Sequence, residues 1–81
     1  NKVIPHDKLD SEAKDWADRL AAGPPLALAM TKRMLTLNAS NDFKSALEAE
    51  GLAQTINFYT QDTKEAVAAF LDKRDPKFQG R

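Results

Sequence analysis

The chain contains no cysteine and only one histidine, His6, among its 81 residues. Without cysteine there is no disulfide framework and no thiolate metal site, and one histidine is too few for the usual clusters of metal ligands. The lack of cysteine fits a reducing compartment, so we expect a cytoplasmic protein. We predict no metal site and no resident cofactor in this chain.

The chain also lacks an excess of charge of either sign, because 12 basic residues balance 12 acidic ones. A chain without net charge has no broad field that would draw nucleic acid or an anionic membrane to its surface. No apolar run approaches the roughly 20 residues that a membrane-spanning helix needs. We therefore expect neither nucleic acid nor a membrane as a partner.

Small size limits the interior that the chain can form. A chain of 81 residues is one small domain at most, and such a chain buries only about 60% of its unfolded surface. Its composition, 42% hydrophobic and 30% charged, is ordinary for a globular protein. A core this thin predicts marginal stability or self-association.

Apolar residues recur at steps of three and four, the period of an α-helix, and nothing indicates a set of paired strands. The pattern predicts an extended lead-in over residues 1–9 and helices within residues 10–81. The predicted inward-facing residues are Ala13, Trp16, Ala17, Leu20 and Ala21 in the first helix, Leu26, Met30, Met34 and Leu37 in the second, Phe43, Ala46, Leu47, Ala53 and Ile56 in the third, and Ala66, Val67, Phe70 and Leu71 in the fourth. The predicted fold class is all-α, an open bundle of three to four amphipathic helices.

Several residues indicate where the helices begin and end. Asp10 or Ser11 is predicted to cap the first helix, and Gly23 to end it in a left-handed conformation. Thr60 is predicted to cap the fourth helix. Gly51 falls in the middle of the third helix, where glycine costs roughly 1 kcal/mol relative to alanine. This glycine indicates either a close helix crossing or simply a weak point in the helix.

Two groups of residues together resemble a known family. The first group is the stretch from Leu20 to Leu28, which contains Gly23-Pro24-Pro25, followed by Thr31-Lys32. The second group lies at the end of the chain and comprises Ala69-Phe70, Lys73-Arg74, Pro76, Phe78 and Gly80. In this order and spacing they resemble the carboxyl terminus of the enoyl-CoA hydratase/isomerase (crotonase) family. The resemblance implies that residues 10–81 correspond to the carboxyl-terminal helical domain of crotonase-fold enzymes, and that residues 1–9 lead in from a catalytic core that is missing here.

The resemblance implies a parent enzyme, most simply an enoyl-CoA hydratase. This lyase would add water across the double bond of a 2-enoyl-CoA thioester in fatty-acid or related acyl-CoA metabolism. In the family, backbone N–H groups of the amino-terminal core hold the thioester oxygen, and carboxylates move the protons. Neither a glycine-rich oxyanion loop nor an assignable carboxylate pair is found in this sequence. We therefore assign no catalytic residue to the chain, and acyl-CoA is the substrate implied for the parent.

The resemblance also implies partners and contact residues. In the family the carboxyl-terminal helices pack on their own catalytic core and on neighbouring subunits of a trimer or hexamer, and they close one side of the acyl-CoA site. Lys73 is the candidate for CoA, since in some members the lysine of this pair reaches a nucleotide phosphate. The alternative is a cation that offsets the helix dipole, worth about 0.3–1 kcal/mol. The residues predicted to be interface or packing anchors are Trp16, Phe58, Phe70, Arg74 (paired with an acidic residue) and Phe78.

Two other functions stay open at this point. The chain could be a stand-alone acyl-CoA-binding module, since four-helix bundles of about this length can hold a ligand between their helices. It has only one tyrosine, Tyr59, and lacks the tyrosine- and lysine-rich pattern associated with such carriers. The other alternative is a helical module that serves protein interaction alone.

Overall fold

The structure, a computed structural model, describes residues 1–81. A short 3-10 turn, His6–Lys8, is followed by four α-helices. These helices are α1 (Leu9–Ala21), α2 (Pro25–Asn38), α3 (Phe43–Phe58) and α4 (Gln61–Leu71). No strand is present, so the all-α prediction is confirmed. None of the four helices has the length and apolar character needed to cross a membrane.

The amino-terminal segment becomes helical earlier than predicted. The 3-10 turn and α1 start inside the expected lead-in, so the extended part is limited to residues 1–5. Asp10 and Ser11 do not cap α1, because Lys8 precedes the helix and no side chain bonds to its end. The 3-10 turn runs directly into α1 and provides backbone acceptors in their place. The N–H of Lys8 donates to the carbonyl of Pro5 at 3.0 Å, and the N–H of Leu9 donates to the carbonyl of His6.

Gly23 separates α1 from α2 for a different reason than predicted. The only residues with positive φ are Lys73 and Gly80, so a left-handed cap at Gly23 is wrong. Space explains this glycine instead. A Cβ at position 23 would lie 2.9 Å from Cδ1 of Leu28 and 3.2 Å from the carbonyl oxygen of Leu20. The corner between the two helices is therefore too tight for any other residue without rearrangement.

The largest helix–helix contact joins α2 and α3. Half-buried residues at steps of three and four mark the facing sides, and these are Ala27, Met30 and Met34 on α2 and Ala46, Ala49 and Ala53 on α3. Methionine is flexible and fills irregular space, and alanine lets a neighbouring helix come close. The contact is therefore formed by small and adaptable side chains.

The large apolar residues of α3 do not face α2. Phe43, Leu47 and Ile56 were predicted to point inward, but they are 79%, 52% and 54% exposed. The alanines occupy the side that meets α2, so these larger side chains lie on the remaining faces of the helix. Apart from its chain neighbours and the backbone of its own helix, Gly51 has no atom within 4 Å of the position that a Cβ would take. Within this chain, then, Gly51 serves no close helix crossing.

The four helices form an open arrangement with almost no interior. Ala69 is the only buried apolar residue. The chain exposes 6986 Å², whereas a compact protein of 9.0 kDa would expose about 4,900 Å². Its radius of gyration is 15.8 Å, against about 12 Å expected for a compact domain of this length. The predicted open bundle is confirmed, in the form of a slab measuring 42 × 39 × 18 Å.

Candidate functional site in α4 and the tail

Helix α4 begins at a cross-linked corner. Thr60 caps it as predicted, because the Thr60 Oγ1 accepts a hydrogen bond from the N–H of Thr63 at 3.1 Å. Both threonine hydroxyls also donate to the carbonyl of Asn57, at 2.8 and 2.6 Å. Two of these three hydrogen bonds tie Asn57 of α3 to the start of α4, and Thr60 is buried there. This corner fixes where α4 starts.

Helix α4 ends in a Schellman motif with Lys73 at its left-handed position. Lys73 has φ 52°, and its N–H donates to the carbonyl of Phe70 at 3.3 Å. The N–H of Arg74 donates to the carbonyl of Ala69 at 3.0 Å. Glycine usually occupies this position, because a Cβ is strained at positive φ. The motif holds the exposed Lys73 at the negative end of the helix dipole.

The residues after this motif, 74–81, are called the tail below, and they turn back along α4. Arg74 forms two parallel hydrogen bonds to Glu65, at 2.6 and 3.0 Å. The N–H of Lys77 donates to the same carboxylate at 2.8 Å. The predicted pairing of Arg74 with an acidic residue is therefore confirmed. Hydrogen bonds from the Arg74 side chain and then from the Lys77 backbone lower the pKa of Glu65 to about 2.

A second carboxylate, Asp62, holds the end of the tail. Asp62 is only 4% exposed, and it accepts hydrogen bonds from the N–H groups of Gln79 at 2.7 Å and Gly80 at 2.8 Å. Gly80 has φ 73°, which lets both N–H groups converge on the carboxylate. In return, the N–H groups of Gln61 and Asp62 donate to the carbonyl of Arg81 at 2.7 and 3.1 Å. The tail and the first turn of α4 therefore satisfy each other's polar groups.

The predicted anchors fall in several places. Arg74 and Phe78 belong to the tail, where Phe78 is half-buried. Phe58 on α3 and Phe70 on α4 are 67% and 83% exposed, so neither packs in the interior of this chain. Trp16 lies on α1, 41% exposed, in a shallow groove of about 510 Å³. The other residues lining that groove are Asn1, Lys2, Ile4, Leu9, Glu12, Ala13, Ala17 and Leu20. An anchoring role for these aromatic residues stays a prediction.

Asp62 and Glu65 are the residues that sequence reasoning missed. In the sequence they are acidic residues near the positive end of a helix, in a stretch that resembles the family, and neither feature indicates a contact with the tail. Their partners lie 9 to 18 residues further along the chain, which is too far for any helical spacing rule. The sole local signal is Gly80, whose freedom at positive φ lets the N–H groups of residues 79 and 80 converge on Asp62.

Replacing Lys73 by glycine should raise the free energy of unfolding by about 1 kcal/mol, because glycine removes the strain of a Cβ in the left-handed position. Urea denaturation of the intact protein, followed by helical circular dichroism, measures the change. Lys73→Ala is the matched control, since it removes the ammonium but keeps the Cβ. Equal stability of the glycine and alanine variants would contradict a left-handed Lys73.

Acid should destabilise the tail through Glu65. The pKa of this carboxyl falls from its ordinary value of 4.5 to about 2 in the folded chain, so its contribution is complete above about pH 4.5 and is lost as the pH falls toward 2. Urea denaturation of the intact protein at a series of pH values should show this slope, a free energy of unfolding that falls as the pH is lowered through this range. Glu65→Gln should flatten it, whereas Glu48→Gln, at an exposed carboxylate of α3 whose partner is Lys44, should not. An unchanged slope in Glu65→Gln would show that other carboxyls cause the loss.

The site as a whole holds the tail against helix α4. The oxygens of Asp62 and Glu65 are engaged by the tail, and nowhere do three His, Asp or Glu side chains come together as a metal site would require. Fold and site together define a helical segment with an ordered tail and broad exposed faces.

Residues 1–81 all match the family described as Enoyl-CoA hydratase/isomerase. The chain belongs to that family, as its motifs indicated.

Individual relatives agree with this assignment. The chain is 35% identical over 78 residues to the crotonyl-CoA hydratase of Syntrophomonas wolfei, covering 96% of the chain and 30% of the relative. It is 32% identical over 74 residues to the short-chain-enoyl-CoA hydratase of Clostridium acetobutylicum, covering 91% of the chain and 28% of the relative. A crystal structure of an enoyl-CoA hydratase from Polaromonas sp. JS666 superposes with a TM-score of 0.90 at 34% identity, covering 98% of the chain and 31% of that protein. The chain thus spans less than a third of the length of these relatives.

Proposed function

We propose that this chain is the carboxyl-terminal helical part of a cytoplasmic enoyl-CoA hydratase that acts on short 2-enoyl-CoA thioesters and needs no resident cofactor. Its two relatives described above are named as hydratases of such substrates. The observation that carries the proposal is the combination of a family match over all 81 residues with an interior of one apolar residue. A segment of this kind is a part of an enzyme, and it completes its fold by packing against other parts of that enzyme.

The first role proposed for the chain is association with its catalytic core and with neighbouring subunits. The chain exposes about 2,100 Å² more than a compact protein of its mass. Permanent interfaces bury about 2,000 Å² or more in total and are rich in apolar side chains. The exposed large apolar residues that such an interface would cover include Phe43, Leu47 and Phe58 on α3 and Val67, Phe70 and Leu71 on α4. The excess surface is therefore large enough for a permanent partner.

The second role proposed is closure of one side of the acyl-CoA site, with Lys73 directed at a phosphate of the CoA nucleotide. The Schellman motif fixes the backbone of Lys73 and leaves its side chain exposed. A compact ammonium on a flexible stem suits a phosphate that is partly solvated. The adjacent Arg74 is engaged by Glu65, which leaves Lys73 as the free cation of the pair.

The chemistry of hydration is assigned to polypeptide outside this chain. Preorganised N–H donors aimed at the thioester oxygen stabilise its developing negative charge, each worth roughly 3–4 kcal/mol. Carboxylates then move protons to and from the water that adds to the double bond. The chain's own contribution is to hold the nucleotide end and to exclude solvent from one side of the site.

The test compares the intact gene product with the isolated chain, using loss of the absorbance of a short 2-enoyl-CoA. The intact protein should hydrate the substrate, and residues 1–81 alone should show no activity above buffer. In the intact protein, Lys73→Ala should raise KM several-fold with kcat nearly unchanged, because it removes binding that is equal in the ground and transition states. Lys64→Ala, at an exposed lysine of α4, is the control and should change neither constant.

Two results would overturn parts of this proposal separately. Hydration by the isolated chain would show that the catalytic groups lie within residues 1–81. An unchanged KM in Lys73→Ala would remove the phosphate contact while leaving the hydratase assignment intact. A stand-alone acyl-CoA carrier is not favoured by any observation, since Ala69 as the sole buried apolar residue leaves no interior for a ligand.

A further inference from the structure

The tail is ordered without any regular secondary structure of its own. Residues 75–81 form neither helix nor strand. Two carboxylates of α4, Glu65 at the near end and Asp62 at the far end, hold the tail in place. Both carboxylates accept backbone N–H groups, so the attachment depends on the course of the tail's backbone rather than on its side chains alone.

The two halves of the attachment at the far end depend on each other. Asp62 keeps its oxygens satisfied in a buried position only while Gln79 and Gly80 donate to them. The N–H groups of Gln61 and Asp62 keep their acceptor only while Arg81 stays in place. A buried polar group that loses its partner costs about 1–3 kcal/mol, so partial detachment is unfavourable. Such an attachment favours opening as one unit.

The far end of the tail also reaches a second helix. A Cβ on Gly80 would lie 3.5 Å from Cγ and 3.6 Å from Cβ of Pro25, so the backbone of Gly80 passes beside the first residue of α2. Helix α4 has a modest contact with α3 and less with α2. The tail therefore connects the first turn of α4 to the first turn of α2, which direct helix packing hardly does.

From these contacts we propose that the tail is a latch: it opens and closes as one cooperative unit, and when closed it fixes α4 relative to α2. The latch is closed in the structure. Its far lock is the exchange of hydrogen bonds between Asp62 and residues 79–81, and its near lock is the ion pair between Glu65 and Arg74. Opening either lock lowers the stability of the other.

Native-state hydrogen exchange in the intact protein tests the latch, with the amides of Gln61 and Lys77 as reporters. Their acceptors, the carbonyl of Arg81 and the carboxylate of Glu65, are unchanged in two variants that open the far lock from opposite sides. Asp62→Asn removes an acceptor from the α4 side. Gly80→Ala acts from the tail side, because φ 73° strains any residue with a Cβ.

In both variants the two reporter amides should exchange faster by the same factor, at least about tenfold for the loss of one buried hydrogen bond. Amides in the middle of α2 and α3 should keep their rates, which shows that the protein remains folded. Glu48→Gln, the control, should change neither reporter. Faster exchange at Gln61 alone, with Lys77 unchanged, would overturn the proposal in favour of independent fraying. No change at either reporter in Gly80→Ala would overturn it as well.

Discussion

Replacing Phe70 by aspartate in the intact protein is expected to weaken subunit association by about a hundredfold and to remove most of the hydratase activity. Phe70 is 83% exposed on α4, and the proposed function places it in a permanent interface. A carboxylate at the centre of such an interface would lose its hydration without gaining a partner, which is among the costliest changes a single substitution makes. Sedimentation equilibrium of the intact protein measures the association.

The helical circular dichroism of the intact protein distinguishes this effect from simple unfolding. Phe70 is 83% exposed within the chain, so Phe70→Asp should leave the helical signal of the intact protein nearly unchanged. Gln61→Asp introduces the same charge on the opposite side of α4 and should leave association intact. If the intact Phe70→Asp protein associates normally, Phe70 lies outside the interface and the proposed anchoring role is wrong.

The isolated chain itself should self-associate or be partly disordered. It exposes 6986 Å² where a compact chain would expose about 4,900 Å², and much of the excess carries large apolar side chains. Water contact with such surface is unfavourable, so the chain should cover it with further copies or lose its fixed helix arrangement.

Sedimentation velocity over a range of concentrations should therefore give a rising average mass, or a single species with a frictional ratio typical of an expanded chain. Urea should melt the helices over a broad range with little cooperativity, since hardly any shared core links them. A compact monomer with a sharply dispersed NMR spectrum would contradict the expectation. It would also weaken the case for an obligate partner.

The helices and their ends could largely be predicted from the sequence, because they depend on local chemistry. Pro25, Thr60 and the polar stretch before α3 act on residues within one turn of themselves, and the structure has helices starting at or beside each of them. The predicted cap of α1 at Asp10 or Ser11 was wrong because the start of this helix depends on backbone hydrogen bonds. A 3-10 turn, which uses only backbone groups, leaves no side-chain signal at Asp10 or Ser11.

Which face of a helix meets which partner could not be predicted in the same way. Phe43 and Leu47 are spaced like core residues, and periodicity says only that they avoid water. Within this chain α2 instead contacts the alanines of α3, and the larger residues stay exposed. A pattern of apolar residues does not distinguish an interior from an interface. In an open segment, apolar residues at helical spacing therefore need not face the chain's own core. The tail escaped prediction because Asp62 finds its partners 17 and 18 residues away.

The slab is only 18 Å thick, and this changes what a mutational scan of the segment would report. In an ordinary domain, intolerant positions mostly trace the domain's own core. Here nearly every side chain reaches a surface, so the chain's own folding places few demands on most positions. A saturation scan scored by the proposed hydratase activity of the intact protein would therefore identify the surfaces that contact neighbouring polypeptide. Positions such as Phe43 or Leu71 at which substitutions are not tolerated would identify contacts with neighbouring polypeptide rather than packing within this segment.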